Sequence, residues 1–311
     1  MNVVFMGTPD FAVPCLKSLI DSGENVQAVF TQPDKPKGRG YKLTPPPVKE
    51  LALKNNIPVY QPTSLKNGDD ANETIKILNE LSPDLIIVVA YGKILPKTIL
   101  DLPKYCINVH ASLLPKYRGA GPIQWSVLNG EKTTGVTTML MEEGLDTGDM
   151  LLSKSVDIGV NETSSELHDK LSILGAEVLL ETITAIKDNN ITPIKQDESL
   201  STYAPMLTKD MCAIDFSKPS QEVHNHIRGL SSFPGAMTML NGKRLKVYRS
   251  VCTFDTSNAE AGTVVNPDNF TVVCGDGKCI QFVEIQAEGS KRMKTADFLR
   301  GKPIEDGTIL K

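Results

Sequence analysis

The stretch Cys106-Ile107-Asn108-Val109-His110-Ala111-Ser112-Leu113-Leu114-Pro115-Lys116-Tyr117-Arg118-Gly119-Ala120-Gly121-Pro122 decides how this chain is read. Its opening alternates: Ile107, Val109 and Ala111 are apolar, while Asn108, His110 and Ser112 are polar. That is the two-residue period of a strand, so the Asn108 amide and the His110 imidazole share one face, side by side. A polar pair on a buried sheet face costs free energy unless it is hydrogen-bonded or used. After Ser112-Leu113-Leu114-Pro115 comes a loop with Arg118, Gly119 and Gly121. Pro122 then suits the first turn of a helix carrying Ile123, Trp125 and Leu128. Open α/β sheets present their chemistry at the carboxyl ends of strands, where this pair falls.

Outward from this stretch, strands and helices alternate. Residues 2–6 form a strand, a helix follows with Phe11, Leu16, Leu19 and Ile20 on one face and Pro14 in its first turn, and 26–30 make the next strand. Such a βαβ unit predicts a parallel sheet with right-handed crossovers. The turn at Gly7 lacks the G-x-G-x-x-G fingerprint, which argues against a dinucleotide site. Helices over 48–55 and 71–81, a short strand at 59–60 and a doubly apolar central strand at 84–90 continue the pattern. A strand at 134–141 leads into the turn Glu142-Glu143-Gly144-Leu145-Asp146-Thr147-Gly148-Asp149. A strand at 151–158 and an amphipathic helix over 163–187 come next.

Two regions are rich in basic residues. Residues 32–47 read as a proline- and glycine-rich loop with Lys35, Lys37, Arg39 and Lys42 against Asp34 alone. A solvated surface loop and a phosphate-binding arm are equally compatible with it. Residues 191–206 read as a polar linker, and the pattern changes after it. A helix with Val223, Ile227 and Leu230 precedes short strands, with Asn241-Gly242 a strong hairpin signal and Gly275-Asp276-Gly277 a second turn. Short strands at this spacing predict a small barrel of the oligonucleotide-binding type. Arg244 and Lys246 share one face of the hairpin, and Lys291-Arg292-Met293-Lys294 adds a basic cluster. Residues 206–311 hold 14 basic and 12 acidic groups, against 19 and 25 in residues 1–205.

With 311 residues, 40% hydrophobic and 23% charged, the chain has the composition of a soluble globular protein with room for two domains. No apolar run is long enough to span a bilayer, and no signal-like segment precedes the first strand, so a cytoplasmic protein is expected. Six cysteines without a C-x-x-C pair read as reduced thiols, with Cys274 and Cys279 flanking a turn. The chemistry is narrowed by what is missing. Ser112 has no nucleophile-elbow context, His224 and His226 diverge on a helix, and His110 and His168 have no visible ligand partners for a metal. An amide N–H and an imidazole N–H can hold the oxyanion of a tetrahedral intermediate, and Asp146 can orient the imidazole. That set suits acyl transfer to an amine without a covalent enzyme intermediate. A plain structural role for Asn108 and His110 competes with it.

Asn108-x-His110-x-Ser112-Leu113-Leu114-Pro115-x-x-Arg118-Gly119-x-Gly121-Pro122, followed by Gly144-Leu145-Asp146-Thr147-Gly148, resembles the folate-dependent formyltransferases. The likeness extends over essentially the whole chain. Val4-Phe5-Met6-Gly7-Thr8-Pro9-Asp10-Phe11-Ala12, Gly38-Arg39-Gly40 and the barrel-like C-terminal part resemble the branch whose acceptor is the amino group of methionine on initiator tRNA. This resemblance implies an α/β, Rossmann-like parallel-sheet catalytic domain over 1–190, a linker over 191–206 and an OB-like tRNA-binding domain over 207–311. It implies 10-formyltetrahydrofolate as co-substrate and no metal. It further implies Asn108, His110 and Asp146 as catalytic residues, Ser112, Leu113, Leu114 and Pro115 against the folate, and Lys35, Lys37, Arg39, Lys42, Arg244 and Lys246 against initiator Met-tRNA. A monomer without membrane attachment is expected. Formyl transfer to a glycinamide ribonucleotide or a nucleotide-linked amino sugar, and hydrolysis of the formylfolate, would use the same three residues. A small acceptor does not need the second domain. The reading from another class is a nucleic-acid-binding protein with a degenerate α/β domain.

Overall fold

The structure is a computed structural model that describes residues 1–37 and 42–311. Arg39 lies outside the described residues, as do the side chains of Lys37 and Lys42. The chain divides into two compact units, one of residues 1–119, 135–156 and 168–203, the other of 120–134, 157–167 and 204–311.

Along the chain come β1 (Asn2–Gly7), α1 (Val13–Asp21), β2 (Asn25–Phe30), β3 (Lys35–Lys37), β4 (Lys42–Thr44), α2 (Pro47–Lys54), β5 (Val59–Tyr60) and α3 (Asp69–Leu81). They are followed by β6 (Leu85–Val89), α4 (Lys97–Leu100), β7 (Tyr105–His110), α5 (Pro122–Leu128), β8 (Thr133–Leu140), β9 (Met150–Asp157) and α6 (Ser164–Lys187). Seven strands make one sheet in the order β5-β2-β1-β6-β7-β8-β9. The first five pair in parallel, and β8 runs antiparallel to β7. The chain winds outward from β1 through β2 to β5, then returns to the other side of β1. Strand order therefore reverses between β1 and β6, the place where doubly wound sheets bind ligands outside their carboxyl ends. β7 is the next strand over, and it delivers Asn108 and His110 to that edge.

Both faces of the sheet are covered, which is why β6 is apolar throughout. On one face Val4, Met6, Phe30, Ile86 and Val88 pack with Leu78 and Ile99. On the other, α6 comes close enough to β7 to need a glycine. A Cβ on Gly175 would stand 3.2 Å from Val109 Cγ1 and 3.7 Å from Cys15 Sγ. Val109 thus anchors the back of β7, opposite the polar pair. α6 begins with a capping box: the Thr163 N–H and hydroxyl each donate to Glu166 Oε2 at 2.9 Å, and the Glu166 N–H returns to Thr163 Oγ1 at 3.3 Å.

The loop expected over 32–47 contains a short hairpin instead. β3 and β4 pair antiparallel, with Lys35 opposite Thr44, Pro36 opposite Leu43 and Lys37 opposite Lys42. Lysine and proline depress strand propensity, which hides the pairing from pattern reading. A two-stranded ribbon is all edge, so the missing N–H of Pro36 need not cost a ladder bond. Asp34 anchors its base, accepting from Lys49 Nζ at 2.8 Å and from Gln61 Nε2 at 2.8 Å. Residues 191–203 carry little regular structure, but they run along the first unit. Met150 and Ile194 exchange two backbone hydrogen bonds of 2.8 Å, and the Arg118 N–H donates to Thr202 O at 2.9 Å.

In the second unit, α7 (Ser220–Gly229) precedes β10 (Ala236–Leu240), β11 (Lys243–Thr256), β12 (Val264–Asn266), β13 (Thr271–Val273), β14 (Lys278–Ala287), β15 (Met293–Lys294) and α8 (Thr295–Gly301). The sheet runs β10-β11-β14-β13-β12, with β15 beside β14. Asn241 and Gly242 both have positive φ, +50° and +73°, as a two-residue hairpin turn of this kind requires. Residues 308–311 join the two edges of the curled sheet. Met239 of β10 and Lys311 exchange backbone bonds, and the Val264 N–H of β12 donates to Thr308 O at 2.8 Å. The core of this half-barrel is built from Val223 and Ile227 of α7 with Leu245, Val247, Ile280 and Phe282.

Candidate active site

β7 and β8 are in register with Asn108 opposite Met139 and His110 opposite Thr137. His110 is buried and Asn108 half-buried. Beyond β8 the chain folds back on itself in the turn that carries Asp146, with the Leu140 N–H donating to Asp149 O at 2.8 Å. Its glycines are a matter of space. A Cβ on Gly144 would meet Thr147 Oγ1 at 2.0 Å, and one on Gly148 would meet Leu140 O at 1.8 Å. Asp146 itself has φ of +54°, a left-handed conformation that aspartate tolerates better than most residues.

The turn brings the Asp146 carboxylate over the polar pair. Oδ1 accepts from Asn108 Nδ2 at 3.4 Å. Oδ2 accepts from the Gly119 N–H at 2.8 Å and lies 3.7 Å from His110 Nδ1. His110 Nε2 is 2.9 Å from Tyr117 O, and because a carbonyl only accepts, Nε2 carries a proton there. Nδ1 is thereby left facing the carboxylate. Amide, imidazole and carboxylate converge, as the alternation in β7 and the Gly-Leu-Asp turn imply.

Behind these three side chains lies a network that no sequence pattern marks. Gln196 is buried, with its amide fully engaged. Nε2 donates to Asp146 O and Gly148 O, both at 2.8 Å, and Oε1 accepts from Arg118 Nε at 3.1 Å and Nη2 at 2.8 Å. Arg118 is also clamped by both carboxylate oxygens of Glu198, at 2.9 and 2.7 Å, and this bidentate bond pushes the guanidinium above its ordinary value. Arg118 stands in the quoted stretch. Gln196 and Glu198 are polar residues in a polar segment, and no spacing marks them.

The remaining expected residues are dispersed. The Ser112 hydroxyl is turned inward to Lys116 O at 2.6 Å, Leu114 is buried, and Leu113 and Pro115 are half-buried at the strand end. Lys35 and Arg244 are exposed, whereas Lys246 Nζ donates to Pro234 O at 3.0 Å. His224 is held by Ser250 Oγ and Val160 O, and burial pushes its imidazole below the ordinary value. His168 lies beside Asp169 and edge-on to Phe11. All six cysteines are free thiols. Among the described residues no group of three or more His, Cys, Asp or Glu could hold a metal ion, and no helix is long and apolar enough to cross a membrane.

The formyl transferase family profile matches residues 1–183, and the profile of the formyl transferase C-terminal domain matches 206–303. The chain belongs to the formyl transferase family. A methionyl-tRNA formyltransferase of Clostridium novyi is 53% identical over 314 residues, covering 100% of both chains. One of Trichlorobacter lovleyi is 52% identical over 99% of this chain and 96% of its own. Among solved structures, an N-formyltransferase from Helicobacter canadensis in complex with folinic acid and dTDP-3-aminofucose superposes with a TM-score of 0.70 at 22% identity, over 92% of this chain and 98% of that one. HypX from Aquifex aeolicus in complex with tetrahydrofolic acid gives 0.65 at 15% identity, over 99% of this chain and 50% of that one. Those two share the fold. In this formyl transferase the cluster brings an amide donor, an imidazole and a fixed carboxylate to one point. Among the described residues, no Ser or Cys side chain hydrogen-bonds to this cluster.

Proposed function

We propose that this chain transfers the formyl group of 10-formyltetrahydrofolate to the amino group of methionyl initiator tRNA, with Asn108, His110 and Asp146 as its catalytic residues. The convergence of those three side chains carries the reading, and the full-length likeness to methionyl-tRNA formyltransferases selects the acceptor. The neutral amine attacks the formyl carbon, and the carbonyl pair moves onto oxygen. The Asn108 amide, held in orientation by Asp146, donates to that oxyanion. His110 Nε2 is committed to Tyr117 O, so proton carriage falls to Nδ1 beside Asp146. It takes the proton of the attacking amine and returns one to N10 as the carbon–N10 bond breaks, releasing tetrahydrofolate. Ser112, Leu113, Leu114 and Pro115 grip the folate, through backbone groups and the half-buried apolar side chains of Leu113 and Pro115.

In this reading residues 1–190 are the catalytic domain, 191–206 the connection and 207–311 the tRNA-binding domain, acting as a cytoplasmic monomer. Lys35, Lys37, Arg39, Lys42, Arg244 and Lys246 contact phosphates, which position the tRNA without reading its sequence. The test is incubation with 10-formyltetrahydrofolate and methionyl initiator or elongator tRNA, scoring the formyl-methionyl ester. Product on initiator tRNA is expected, and formyl transfer to water or to a sugar amine alone overturns the reading. Arg39→Ala should weaken use of Met-tRNA while leaving folate binding intact, and unchanged tRNA dependence would remove the loop from the interface.

A further inference from the structure

We propose that Gln196 and Thr202 are positioning residues for the chemical step: together they hold the Asp146 carboxylate and His110 in mutual register. This rests on the formyl-transfer reading above. The turn bearing Asp146 is exposed from Glu142 to Leu145. Asp146 sits in it with a positive φ, so the turn needs an anchor to keep its carboxylate within reach of β7. Gln196 supplies one, capping the carbonyls of Asp146 and Gly148 with a single buried amide. Its other end rests on Arg118, which Glu198 clamps. Both hydrogens and both lone pairs of the buried Gln196 amide are used, which restricts how far the turn can move.

Thr202 supplies the other anchor. Its hydroxyl accepts from the Tyr117 N–H at 2.8 Å, and its carbonyl accepts from the Arg118 N–H at 2.9 Å. Tyr117 is the residue whose carbonyl accepts the hydrogen bond from His110 Nε2. One short segment thus fixes both the turn over the imidazole and the carbonyl beneath it. Releasing either end lets the carboxylate and ring drift apart. A misplacement of about 1 Å can cost on the order of 10²-fold in rate.

The experiment measures steady-state and single-turnover formyl transfer with the full chain. Gln196→Glu keeps the acceptor for Arg118 but sets a carboxylate oxygen against two carbonyls, and Gln196→Met keeps length without a donor. Both should lower kcat on the order of 10²-fold while KM for folate and for Met-tRNA stays within about twofold. Thr202→Val should lower kcat and Thr202→Ser should restore it. Folded Gln196 variants with kcat within about threefold of wild type overturn the inference. Should those variants not fold, equal kcat for Thr202→Val and Thr202→Ser overturns it. An inactive wild-type chain would instead sink the functional reading, whereas an active wild type with indifferent variants sinks only this one.

Discussion

Gly148→Ala tests the geometry of the site without touching the side chains of Asn108, His110 or Asp146. Gly148 does not have a positive φ, so the main cost of alanine there is one of space. The added Cβ would stand 1.8 Å from Leu140 O and 2.9 Å from its carbonyl carbon. Real Cβ atoms essentially never come within 3.0 Å of a heavy atom, so the turn or the end of β8 must yield by about 1.2 Å. Neither can yield freely. Leu140 is tied to Asp149 by its N–H, and Gly148 O is capped by Gln196. The displacement therefore passes to Asp146, two residues away, whose bonds to Gly119 and Asn108 do not survive a shift of that size. Formyl transfer should fall on the order of 10²-fold. Overpacking should cost about 1–3 kcal/mol of stability, leaving the protein folded. Single-turnover transfer under saturating substrates reads the first effect, and urea unfolding the second. Gly301→Ala, which faces open space at the end of α8, is the control: it should leave the rate unchanged and should not lower stability. A folded Gly148→Ala protein within about threefold of the wild-type rate would refute the claim that this turn sets the carboxylate for catalysis.

Asn108→Ala, His110→Ala and Asp146→Ala should each slow transfer by about 10²-fold or more, and near-normal single-turnover rates in all three would remove them from the mechanism. Burial pushes the Glu166 carboxyl up, but the Arg249 guanidinium and the Thr163 N–H and hydroxyl more than reverse this, holding it below the usual carboxylate range. A depressed folded value contributes stability in full above the ordinary glutamate value of about 4.3, and that contribution is lost as pH falls below it. Arg249→Gln should therefore flatten the acid limb of urea midpoints against pH, and identical limbs would dismiss the pair. Cys252 alone among the six thiols is exposed, and burial pushes Cys15 and Cys106 up to about 12. An aromatic disulfide reagent should accordingly titrate one thiol in the native protein, lost in Cys252→Ser. Two or more native-rate thiols would contradict the described packing.

The sheet was legible because its signals are local and redundant. The βαβ rhythm, the doubly apolar β6 and the Asn241-Gly242 turn each need only neighbouring residues. The β3–β4 hairpin was not legible, since Lys35, Pro36 and Lys37 oppose strand propensity and pair only because a partner segment is brought alongside. In the site the same divide appears. Asn108 and His110 share a face by strand periodicity alone, and a distinctive glycine-bracketed turn marks Asp146.

What the sequence determines by itself, then, is the set of reactive groups and the strand that presents two of them, because a period of two is a property of the backbone. Tertiary structure alone decided the rest. It set the 3.7 Å between His110 and Asp146, the tautomer imposed by Tyr117 O, and the bracing by Gln196 and Thr202. Those contacts join positions up to 85 residues apart in the chain. A hydrogen bond between distant residues depends on where the whole chain has carried them, and no pattern within either neighbourhood encodes it.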